Sequence, residues 1–190
     1  MILLLGVVMI ISIPVGANAQ DLPVPSVEFI RKMLLLPDND FTIFDKYELC
    51  TAFIYLIETD DDDVVVEHAV ASLWVTEDER SVPYLVENIE DYPLHALYGL
   101  GHFSTVESCK ALLTHINDED EFNRRFSAES LGKLDFTASE EMWELRDDAL
   151  DGLTKRLSQE KEEWIIPFLN KAIAAIGVQV FAEGEGTLSS

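Results

Sequence analysis

YPLHALYGLGHFSTVESCKALLTHIND, residues 92–118, reads as a helix, a tight turn and a second helix. In its first half Ala96, Gly99 and Leu100 fall at helical spacing on one face, with Gly101 directly after. The same register occurs three more times, as Ala69, Ser72, Leu73 and Trp74, as Ser127, Ser130, Leu131 and Gly132, and as Ala172, Ala175, Ile176 and Gly177. Small residues three apart let a neighbouring helix approach closely and the aliphatic residue fills the space between. Glycine at the helix end is expected to relieve a left-handed turn, and Trp74 breaks that rule.

The second halves keep phase. Leu85, Val86 and Ile89 lie 12, 13 and 16 residues beyond Leu73, and Leu112, Leu113 and Ile116 lie equally far beyond Leu100. A third copy, Leu150, Leu153 and Leu157, fits if the insert DFTASEEMWE is allowed in the turn. The anchors Leu73, Leu100, Leu131 and Ile176 are then spaced 27, 31 and 45 residues apart. Two helices per unit, held in register, predict a repeat array rather than an arbitrary bundle.

The pattern resembles the short HEAT-like repeats of the bilin-lyase type, in which an Ala-x-x-Ala-Leu-Gly helix precedes a second amphipathic helix. The resemblance covers roughly Asp63 to Gly177. It implies an all-α fold, an α-solenoid of about four to five helical pairs. Bilin lyases hold or attach a tetrapyrrole in the cytoplasm, so a bilin-lyase-like chromophore-binding protein is the alternative the resemblance carries.

The chain opens with MILLLGVVMIISIPVGANA, an apolar run closed by Ala17, Asn18 and Ala19. That is the pattern of a secretory signal peptide over 1–19, although no Lys or Arg precedes the run. The run is shorter than the roughly 20 residues of a membrane span, so the expected location is periplasmic or secreted, without stable membrane insertion after cleavage. Residues 20–62 read as divergent N-terminal capping helices, 63–182 as the repeats and 183–190 as a disordered tail.

Within the cap, Ser26 starts a helix carrying Val27, Ile30, Met33 and Leu34, which Pro37 stops, and a second helix runs from about Asp45 to Glu58. The repeat helices are expected near Val64 to Val75, Ser81 to Glu90, from Pro93 and from Phe122. A long turn from Asp135 to Glu144 holds Trp143, and Pro167 lies in the first turn of the last helix or kinks it.

Thirty-six acidic against 13 basic side chains give a formal charge of −23. Such a field repels nucleic acid and anionic membranes and speeds encounter with a basic protein partner. Solubility or a saline habitat explains the same excess.

No residue set reads as catalytic, cofactor-binding or metal-binding. The acidic turn TDDDD at 59–63 has Val65 where a calcium loop needs glycine, so helix capping by Asp62 or Asp63 is expected. His68 and His95 stand one repeat apart, too far to share a zinc ion, and Glu67-His68 reverses the His-Glu order of HEAT-like iron hydroxylases. Cys50 and Cys109 fall on second helices a whole repeat apart, so no disulfide is expected. There is no nucleophile elbow, and Gly99-x-Gly101 lacks the rest of a phosphate loop.

What remains is surface. Equivalent outward positions on the second helices form two rows, Glu87, Thr114 and Lys155, and Asn88, His115 and Arg156. The expectation is a non-catalytic scaffold that binds a protein segment along these rows, in the concrete form of a periplasmic inhibitor or immunity protein.

Overall fold

The computed structural model describes residues 26–36 and 40–179, which hold nine α-helices, one 3-10 turn and no strand. The helices are α1 (Val27–Leu34), α2 (Lys46–Thr59), α3 (Asp63–Ser72), α4 (Ser81–Glu87), α5 (Pro93–Leu100), α6 (Val106–His115), α7 (Glu121–Leu131), α8 (Glu140–Gln159) and α9 (Ile166–Gly177), with the 3-10 turn at Leu73–Thr76. The chain is all-α over these residues, and none of these helices is long and apolar enough to cross a membrane. The expected signal peptide, the stop at Pro37 and the expected tail lie outside the described residues.

Most helix starts follow from local chemistry. Ser26, Asp45, Asp62, Thr105, Asp120 and Ser139 each accept a hydrogen bond from a backbone N–H of the first turn they cap, satisfying a donor that the helix itself cannot. Pro93 and Pro167 sit in the first turns of α5 and α9, where a missing N–H costs nothing. Pro167 therefore does not kink its helix. In the acidic turn, Asp62 caps α3 while Asp60 takes the Arg31 guanidinium at 2.6 Å.

Packing runs in two rows. α1, α3, α5, α7 and α9 pack each on the next, and so do α2, α4, α6 and α8. Leu73, Leu100, Leu131 and Ile176 are all fully buried and belong to one continuous hydrophobic core. Each such side chain contributes about 1.5–3 kcal/mol relative to exposure. α4 packs against both α2, which carries Cys50, and α6, which carries Cys109, and both cysteines are buried free thiols. Burial pushes the Cys109 thiol up to about 12, so it behaves as a small apolar core group.

The glycines after the anchors work differently from the sequence expectation. Gly101 and Gly132 have φ of −67° and −68°, ordinary right-handed values. Their role is proximity. A Cβ on Gly101 would stand 2.7 Å from the Ser130 Cβ on α7, and one on Gly132 would stand 2.9 Å from the Ala172 Cα on α9. The small residues thus set the spacing of α5 on α7 and of α7 on α9.

Three boundaries also differ, and the first is the end of α4, at Glu87 rather than Glu90. α8 begins at Glu140, capped by Ser139, so Trp143 lies in its first turn beneath Arg146 rather than in a long loop. The chain had signalled this: Ser139 followed by Glu140 and Glu141 is an N-cap with negative charge at the positive helix end. α3 stops at Ser72 and gives way to the 3-10 turn, after which Glu77 takes φ 51°, the one left-handed non-glycine among the described residues. A β-branched residue resists that conformation strongly. Glu77→Val is expected to be about 1–2 kcal/mol less stable than Glu77→Gly in urea denaturation. Equal stabilities would mean that the turn relaxes freely.

Candidate functional site

The candidate surface is the row α4, α6 and α8. These helices pack consecutively, so Glu87, Thr114 and Lys155 stand on successive neighbours, and all three are exposed. Between α4 and α6 lies a shallow groove of about 470 Å³, with Val86, Val106 and Ala111 in its lining and Glu107, Lys110 and Thr114 beside them. Exposed carboxylates continue along α8 at Asp147, Asp148 and Asp151. An apolar strip edged by charges is the anatomy of a weak protein-binding surface.

The second predicted row has other employment. Asn88 donates from its amide to the Tyr84 carbonyl at 2.8 Å and so closes the end of α4. His115 Nδ1 lies 3.2 Å from Asp118 Oδ2. Arg156 turns to Glu160, Nε to Oε2 3.1 Å, and its side chain is only 15% exposed. The outward row is exposed to solvent, whereas the other holds helix ends in place.

Sequence reasoning missed the centre of that arrangement. The Glu160 side chain is fully buried and receives both Arg124, whose Nε and Nη2 each donate at 3.0 Å, and Arg156. The amides of Lys161 and Glu162 donate to its other oxygen at 2.9 and 3.1 Å. Arg124 also donates through Nη1 to the carbonyls of Asp118 and Glu119, joining the turn before α7 to the turn after α8. Burial by itself would raise the Glu160 carboxyl. The hydrogen bonds from Arg124, the two amides and Arg156 outweigh it and hold the group down at about 2.

The histidines are spread out. His68 Nδ1 is 2.7 Å from the Leu34 carbonyl, His95 Nε2 is 3.1 Å from Glu67, and His102 stacks on Trp74 at 4.5 Å between ring centres. Burial, with Lys133 nearby, lowers the His102 pKa, so it stands neutral at pH 7. Among the described residues no three His, Cys, Asp or Glu side chains are grouped to hold a metal ion.

No protein-family model matches the chain, and no curated protein is significantly similar to it.

Proposed function

We propose that the chain is an exported, non-catalytic α-solenoid of HEAT-like helix pairs that binds another protein along α4, α6 and α8, in the concrete form of a periplasmic inhibitor or immunity protein. The observation that carries this reading is the groove between α4 and α6, with the exposed row Glu87, Thr114 and Lys155 on consecutively packed helices. The two packing rows and the shared burial of Leu73, Leu100, Leu131 and Ile176 support the solenoid. The −23 charge favours a partner with a basic segment, which would lie with its basic end at Glu87 and Glu107 and an acidic end at Lys155.

The test is a photo-crosslinking residue at Thr114, with one at the exposed Glu28 of α1 as the control. A defined adduct at Thr114 alone is expected from a periplasmic extract at low salt. Reversal of two rim charges together, Glu87→Lys with Glu107→Lys, should then weaken the same partner about tenfold, mostly through slower association. Equal labelling at both positions removes this face from consideration. Lys155→Glu probes the other end without touching the buried Glu160, which a change at Arg156 would disturb.

A further inference from the structure

Four departures from the repeat pattern fall at one place. Trp74 stands in the column that glycine occupies in the other three units, the helix ends in a 3-10 turn, Glu77 adopts a left-handed φ of 51°, and a cleft of about 650 Å³ opens beside them. Coincident violations of local rules mark functional or strained sites rather than scattered accidents. The cleft lies within the roughly 300–1,000 Å³ range of small-molecule sites. Its lining is mainly apolar: Phe41, Phe44, Leu49, Ala71, Trp74 and Val75.

The wall that carries Glu77 is built rigidly. Thr76, 1% exposed, donates its hydroxyl to the Leu73 carbonyl at 2.7 Å, lies 3.0 Å from the Ser81 hydroxyl and accepts the Asp78 amide at 3.3 Å. Arg80 then ties the strap down to α2, donating to the Tyr47 carbonyl at 2.9 Å and lying 3.6 Å over the Tyr47 ring. Held on both sides, Glu77 keeps an unfavourable conformation and pairs with Lys46 where both line the cleft. Asp40 lines it as well, its Oδ1 accepting from the Thr42 hydroxyl at 2.6 Å and the Thr42 amide at 3.0 Å. Those bonds hold its carboxyl below the usual carboxylate range, so it is ionised at neutral pH. Two carboxylates and one ammonium therefore line the cleft, on a molecule whose whole field attracts cations.

We propose that this cleft binds a small molecule with a hydrophobic body and a single ammonium head, the body against Phe41, Phe44 and Trp74 and the head at Glu77 and Asp40. The aromatic side chains suit a weakly hydrated cation such as a quaternary ammonium. This site is separate from the α4, α6 and α8 surface and stands or falls without it.

Trp143→Phe with Trp164→Phe leaves Trp74 as the sole tryptophan. Titrating that protein with octyltrimethylammonium is expected to give a saturable change in Trp74 fluorescence. Octanesulfonate, of equal chain length, should bind about tenfold more weakly, and Glu77→Gln should bring the ammonium probe close to the sulfonate. Lys46→Gln removes the competing ammonium and should tighten the cationic probe. In NMR spectra the Ala71 and Val75 methyl resonances should shift with the probe while that of Ile173 on α9 stays still. Equal affinity for both head groups, no effect of Glu77→Gln in a protein with unchanged circular dichroism, methyl shifts elsewhere, or no saturable response would each overturn the proposal.

Discussion

Glu160→Gln is expected to destabilise the protein by about 3 kcal/mol at pH 7, because it leaves the Arg124 and Arg156 guanidinium groups, 9% and 15% exposed, without their shared anion. The size of the effect has an independent route. The carboxyl is depressed from an ordinary 4.5 to about 2, and at about 1.36 kcal/mol per unit the charged form contributes on the order of 3 kcal/mol. A depressed carboxylate stabilises above its unfolded pKa and loses that contribution as pH falls through its folded one. The difference between wild type and variant should therefore be full above pH 4.5 and shrink towards pH 2. Relief of the −23 self-repulsion in acid acts on both proteins alike and cancels in the comparison. Urea unfolding at pH 7, 4 and 2.5 measures it. A variant within about 0.5 kcal/mol of wild type at pH 7 would show that solvent screens the cluster, as it does for most surface pairs. Arg156→Met is expected to cost less, since Arg124 and two backbone amides still satisfy the carboxylate.

The contrast between Arg156 and its neighbours shows where sequence reading reaches and where it stops. The cap at Ser26, a cap at Asp62 or Asp63 and the proline that opens α5 were legible, because a cap is a contact between residues two or three apart, whereas Pro167 read equally as a first-turn residue or a kink. The anchor column was legible for the same kind of reason: a 3.6-residue period needs only the chain itself. The Arg156–Glu160 pair was also in plain view, at i,i+4 on one helix. Arg124 was not, since 36 residues separate it from Glu160 and only the packing of turns brings them together. Placing a Cβ on an outward helical position fixes the row but not the partner of a long side chain. That is why Glu87, Thr114 and Lys155 emerge exposed while Asn88, His115 and Arg156 turn to helix ends. The cleft had one signal, Trp74 in a glycine column, whose meaning depended on a backbone angle three residues later.

The glycine column gives the sharpest test of the stacked arrangement, because one substitution should change sign along it. Gly101→Ala places a methyl 2.7 Å from the Ser130 Cβ and 2.9 Å from its Cα, and Gly132→Ala places one 2.9 Å from the Ala172 Cα. These are backbone and Cβ obstacles that no rotamer change can remove, so α7 must move off α5, and α9 off α7. Forced overpacking of this kind costs about 1–3 kcal/mol, against a gain of about 0.5–1 kcal/mol from replacing a helical glycine by alanine. The clash wins at both positions. Gly177, the same column in the last unit, meets nothing within 4 Å, and its helix is right-handed to the end. Only the conformational gain applies there, and Gly177→Ala should raise stability by about 0.5–1 kcal/mol. Thermal unfolding of the three variants separates the accounts. If glycine served to turn the chain at each helix end, all three would lose stability together. If it serves to let the next helix come close, the first two fall and the last rises, because α9 is the last helix of its row among the described residues.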